Sequence, residues 1–168
     1  QQAGAEKSIF SYGHRNIQGM ARHPQTGAIW THEHGPRGGD EINIVKAGLN
    51  YGWPVISFGI NYDGTTFTND TAQIGMEQPL AYYVPSIAPC GMAFISGNRY
   101  GDWENSLLIG SLRFEYLERC IIENNEVVGH ERLLEGIGRV REVKMSPDGY
   151  IVVGVENPGR ILKLIPLN

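Results

Sequence analysis

The residues most suited to chemistry lie between Trp30 and Pro54, WTHEHGPRGGDEINIVKAGLNYGWP, where a loop rich in glycine and proline interrupts an apparent strand. Gly35, Pro36, Gly38 and Gly39 put little side chain in the way, so backbone carbonyls can turn toward one point. Asp40 and Glu41 add hard oxygen donors to them. A cluster of oxygen donors suits calcium far better than zinc or copper. The same spacing also admits an ordinary turn between two strands, with Asp40 and Glu41 merely solvated.

Three other segments concentrate polar residues at the ends of predicted strands: HRNIQG at 14–19, SLR at 111–113 and GRVRE at 138–142. If these ends meet the loop, Arg15, Arg113, Arg139 and Arg141 form a cationic rim facing a loop-held calcium. Such a rim matches a flat cofactor bearing several carboxylates, because guanidinium presents a planar fork to a carboxylate. Arg139 and Arg141 are two apart and share a face of a strand, where a solvated basic stripe is the competing reading. Arg15, Asn16 and Gln18 equally suit a capped turn. His32 and His34 also share a strand face, but an HxH transition-metal site needs a third nitrogen ligand, and none is evident nearby.

Composition narrows the function classes. The 168 residues suffice for one domain with a core, and a formal net charge of −4 without a basic run interleaved with aromatics argues against a nucleic-acid partner. No apolar stretch approaches the roughly 20 residues of a membrane helix, and the first residues, QQAGAEKSIF, lack the pattern of a signal peptide. Cys90 and Cys120 have no CxxC spacing, so they read as small buried hydrophobes rather than as a disulfide framework or a thiolate zinc site. Ten arginines against four lysines favour a partner that carries carboxylates.

The elements that must position these residues read as strands. Twenty-two glycines and nine prolines separate short β-branched and aromatic runs, which predicts an all-β protein. Ten strands are expected, at 19–23, 28–32, 41–46, 91–95, 106–111, 116–123, 126–134, 140–145, 150–155 and 161–165. MARHPQTGAIW from Met20, MAFISGNRYGDWENSLLIG from Met92 and VKMSPDGYIVV from Val143 each read strand, turn, strand, suggesting three propeller blades. Residues 55–85 form an inserted loop with little strand periodicity, and the last blade shows three strands, leaving one to come from elsewhere. Three blades do not close a ring and would expose sheet edges, so a partner segment is expected to supply the rest.

The order of RNxQG, EHGPxGGDEIN, KAGxNYGWP, SxAPxG at 86–91, SLR and GRxRxVxxSPDG resembles the glucose/sorbosone dehydrogenase family, soluble quinoproteins that use pyrroloquinoline quinone (PQQ), and especially its aldose sugar dehydrogenase branch. The resemblance spans nearly the whole chain. It implies a six-bladed β-propeller of which residues 1–168 are the C-terminal half of a single domain, and an oxidoreductase that converts aldose sugars to lactones by hydride transfer to calcium-bound PQQ. Carried over by position, Gly35 and Pro36 give carbonyls to the PQQ calcium. Arg15, Asn16, Gln18, Arg113, Arg139 and Arg141 contact the cofactor, with Arg15 and Arg141 in catalytic positions. Asp40, Glu41 and Tyr51 match a second, structural calcium site, with backbone oxygens near Ser57 and Gly59 adding to it.

Val84 stands where some members stack a tryptophan beside the cofactor. The resemblance also implies that the general base is a histidine of an N-terminal half absent from this chain, so the chain alone is expected to be inactive. Implied partners are an aldose, that half and an external electron acceptor, in a periplasmic or secreted setting. The alternative is a non-catalytic propeller module that binds a ligand without turnover.

Overall fold

The computed structural model describes residues 6–167, and they form eleven strands. The strands are β1 (Ile17–Arg22), β2 (Ile29–Glu33), β3 (Asp40–Val45), β4 (Ala81–Tyr83), β5 (Pro89–Phe94), β6 (Leu107–Ser111), β7 (Leu117–Glu123), β8 (Glu126–Leu133), β9 (Arg139–Met145), β10 (Ile151–Glu156) and β11 (Arg160–Lys163). They pair antiparallel into three sheets, β1-β2-β3-β4, β5-β6-β7-β8 and β9-β10-β11, each a meander in chain order. These are three blades of a β-propeller. Their first strands lie side by side, β1 against β5 and β5 against β9.

The three strand-turn-strand units read from the sequence are the first hairpins of the three blades, β1-β2, β5-β6 and β9-β10. The third sheet holds three strands, as expected. The inserted segment requires a correction. Inside residues 55–85, Ala81–Tyr83 pairs with β3 and closes the first blade, Asp40 opposite Tyr83 and Ile42 opposite Ala81. Three residues are too few to show a period of two, so the sequence gives no sign of this strand.

The inner strands of the middle blade, β5 and β6, are buried on both faces, which explains why they are almost wholly apolar instead of alternating. On β5, Met92 and Phe94 join Trp30, Ile42, Leu107, Ile109 and Cys120 against the first blade. Ala93 and Ile95 turn the other way, packing with Leu108, Leu117, Val140, Val143, Ile151 and Val153 against the third. Strand alternation thus sends one strand's side chains into two cores. Gly91 lets the strands approach: its φ is +64°, and a Cβ there would lie 2.6 Å from the Cα of Glu142 on β9. Among the described residues, no helix is long and apolar enough to cross a membrane.

Candidate cofactor and ion site

The glycine-rich loop joins the end of β2 to the start of β3, and Asp40 braces it from inside. One carboxylate oxygen of Asp40 accepts the Gly35 N–H at 2.9 Å and the Ser86 hydroxyl at 3.0 Å; the other accepts the Ala88 N–H at 2.8 Å. The Ser86 oxygen in turn accepts the Gly38 N–H at 3.0 Å. Asp40 is 1% exposed, so this carboxylate is a buried knot holding the loop to the segment between β4 and β5, not a free surface ligand. The glycines are needed for a steric reason. A Cβ on Gly35 would sit 2.3 Å from the carbonyl oxygens of both Gly38 and Gly39, and Gly38 and Gly39 themselves have φ of +89° and +73°.

Braced in this way, the loop leaves the carbonyls of Gly35 and Pro36 without a hydrogen-bond donor among the described residues. Both residues line a cavity of about 400 Å³ together with His34, Ser86, Ala88 and Arg113. The Arg113 guanidinium donates to the Ser86 carbonyl at 3.2 Å and lies over the Phe114 ring, so one charged fork stands at the cavity that Gly35 and Pro36 line.

Arg15 reaches the same loop from the other side. Its guanidinium donates to the His34 carbonyl at 3.1 Å and lies 5.2 Å from the Trp53 ring centroid, and Arg15 and Gly35 both line a second, much smaller cavity. The residue that positions Arg15 is Glu33, which sequence reasoning missed. One Glu33 oxygen accepts the N–H groups of Arg15 and Asn16; the other faces His14 Nδ1 at 3.1 Å and accepts the Asn43 amide at 3.3 Å. Asn16 and Gln18 are exposed and joined to each other, Gln18 Nε2 donating to Asn16 Oδ1 at 2.8 Å.

Glu41 and Tyr51 line the smaller cavity with Ser57. Burial, opposed by the Asn43 hydrogen bond and reinforced by the charge of Glu33, pushes the Glu41 carboxyl up to about 7. The Tyr51 hydroxyl is engaged elsewhere, donating to the Ile44 carbonyl at 2.7 Å and accepting the Lys46 N–H at 2.9 Å, so only its main-chain oxygen is available to an ion.

Arg139 and Arg141 do lie on one face of β9, as their spacing predicts, and both donate through Nε to one oxygen of Glu156 on β10, at 3.3 and 2.5 Å. Neither lines the cavity shared by Pro36 and Arg113. Pairing with Glu156 raises the Arg141 pKa further. Nε makes both bonds. Val84 is exposed beside Gly38 and lines a different, outer cavity with Tyr82, Tyr83 and Phe114. His32 and His34 each give Nε2 to a carbonyl on the segment of β5, Gly91 at 2.9 Å and Pro89 at 2.8 Å. A carbonyl only accepts, so both nitrogens carry protons and the pair ties blade one to blade two. It is not an HxH metal site.

Comparisons with known proteins bear on the family and the fold. A family model described as Glucose / Sorbosone dehydrogenase matches residues 1–163. The chain is 42% identical over 172 aligned residues to aldose sugar dehydrogenase YliI of Escherichia coli (strain K12), a match covering 100% of this chain and 46% of that protein. A crystal structure of a glucose dehydrogenase superposes with a TM-score of 0.93 at 47% identity, covering 99% of this chain and 49% of the other. The PQQ-bound form of an aldose sugar dehydrogenase from Streptomyces coelicolor superposes with a TM-score of 0.70 at 28% identity, over 92% of this chain and 44% of that one. The chain spans about half the length of the relatives it matches.

Proposed function

The chain belongs to the glucose/sorbosone dehydrogenase family, and from that premise we propose that it carries the cofactor and calcium side of a quinoprotein aldose dehydrogenase. Residues 1–168 are then the C-terminal half of one six-bladed propeller domain. A second half supplies the remaining blades, a strand for the free edge of the third sheet, and the histidine base. Held here with calcium, PQQ would supply a quinone able to accept the hydride that an aldose loses when its anomeric carbon is oxidised to a lactone, with an external acceptor as the final oxidant.

The observation that carries this reading is that Gly35 and Pro36, whose carbonyls meet no hydrogen-bond donor among the described residues, line one cavity with Arg113. The donor set fits the ion, since two amide oxygens on a rigid loop, without thiolate or free imidazole, suit calcium. Gly35 and Pro36 hold it. Arg113 meets a cofactor carboxylate with its fork. The guanidinium groups of Arg139 and Arg141, aligned by Glu156, would stabilise negative charge on the oxygens of a cofactor held here. Arg15 is set by Glu33 and the His34 carbonyl and acts at the reacting edge, with Asn16 and Gln18 along the polar rim. Val84 occupies the flank beside Gly38. Glu41 and the main-chain oxygens of Tyr51 and Ser57 hold a second, structural calcium, while Asp40 keeps the adjoining loop in shape.

Titrating the protein with PQQ and following quinone absorbance tests the reading. Saturable binding that requires calcium and is lost in chelator supports it. Failure of PQQ to bind in saturating calcium sinks it. PQQ binding without aldose oxidation by the complete two-half protein would mark a binding module in place of an enzyme.

A further inference from the structure

Away from the calcium loop, three potential ligands meet on the outer strands of the middle blade. Glu118 and Cys120 are two apart on β7 and share a face, and His130 on β8 stands directly opposite Cys120. A carboxylate oxygen, the thiol sulfur and an imidazole nitrogen all lie within 4.8 Å of one another. His130 Nδ1 is 2.8 Å from Glu118 Oε1 and 3.8 Å from Cys120 Sγ. The other carboxylate oxygen, Glu118 Oε2, is buried and has no hydrogen-bond partner among the described residues, although the Glu118 side chain is only 4% exposed. An ionised oxygen left bare in the interior is costly unless a cation or donor meets it.

We propose that Glu118, Cys120 and His130 form a tetrahedral binding site for a divalent transition metal, with zinc as the ion of choice, independent of the calcium site and of the sugar chemistry. A thiolate, an imidazole and a carboxylate are zinc ligands and poor calcium ligands. With Zn–S near 2.3 Å and Zn–N near 2.0 Å, a tetrahedral S···N edge is about 3.5 Å, close to the 3.8 Å found. Glu118 and His130 also line a cavity of about 670 Å³ with Tyr83 and Arg132, from which a water can complete the shell.

Charge and protons balance. Zn²⁺ displaces the Cys120 thiol proton to solvent, and the imidazole proton moves from Nδ1 to Nε2 on a ring that is 42% exposed. The thiolate and the Glu118 carboxylate then neutralise the ion. Tyr83 of β4, whose hydroxyl is 3.6 Å from Cys120 Sγ, donates to the thiolate from the neighbouring blade, so the site fastens the first blade's edge strand to the second blade.

Co²⁺ added to the metal-free protein tests this. A thiolate-to-cobalt charge-transfer band should appear, survive excess Ca²⁺ and disappear on adding Zn²⁺. Cys120→Ser should abolish the band and Cys90→Ser should leave it. His130→Gln, a change at a partly exposed position compatible with folding, should weaken zinc binding by at least about 100-fold, since even residues that only support a ligand contribute 10- to 100-fold. Absence of the band, its survival in Cys120→Ser, or wild-type zinc affinity in His130→Gln would each overturn the site.

Discussion

Glu33 does more for the candidate site than any residue that the sequence singled out. It is 4% exposed and takes two main-chain N–H groups, the Asn43 amide and a contact from His14, fixing the backbone from which Arg15 projects. Glu33→Gln would turn an amide toward donors that need an acceptor. We expect a loss of about 1–3 kcal/mol of stability, read by chemical denaturation, together with weaker cofactor binding. Arg141 is the opposite case. It is half exposed and paired with an equally exposed Glu156, so it adds little to the fold. Arg141→Ala should leave the melting temperature within ~2 °C and lower kcat of the complete enzyme about 100-fold or more, the scale of removing one donor to developing charge. Unchanged turnover would remove Arg141 from the mechanism.

At the scale of elements, blades are joined through groups that a sequence does not mark as partners. His32 is fully buried between β1 and β5: a Cβ on Gly19 would lie 2.2 Å from its Nε2, which donates to the Gly91 carbonyl. Burial pushes the His32 pKa down to about 4 from 6.5. Between these values the unfolded chain binds the proton that the folded chain refuses. The contribution of His32 is therefore fully present above pH 6.5 and falls as the pH drops toward 4, by up to ~3 kcal/mol. Glu41, pushed up to about 7, acts in the opposite sense in much the same window, so total stability is a poor readout. The difference between wild type and His32→Gln isolates the effect: it should shrink from pH 7 to pH 4.5 in urea titrations, and a pH-independent difference would count against the assignment.

For the whole molecule, the three blades form a run with two different ends. Among the described residues β1 is an end strand of its sheet, and the third sheet ends at β11, where Ile161 is 81% exposed. Unpaired edges and bare apolar side chains favour pairing with further strands. Supplying the other half of the propeller should bring aldose-dependent dye reduction to a level absent from this chain alone, checked by mixing or coexpressing the halves with PQQ and calcium. No activity in the reconstituted protein, despite bound PQQ, would favour the non-catalytic module.

The all-β class, the three blade-opening hairpins, the three-stranded last sheet and the glycine-rich loop between β2 and β3 were all legible in the order of residues, because turn chemistry, strand alternation and glycine spacing are local properties. Local order also put Arg139 and Arg141 on one face. Tertiary structure alone decided what those groups meet. It made Asp40 the brace of the loop, gave both imidazoles of HEH to carbonyls of the next blade, enlisted β4 from a segment without periodicity and brought His130 beside Glu118 and Cys120. Those contacts join residues from 10 to 59 positions apart, and no spacing rule reaches across strands whose pairing is fixed only when the blades pack.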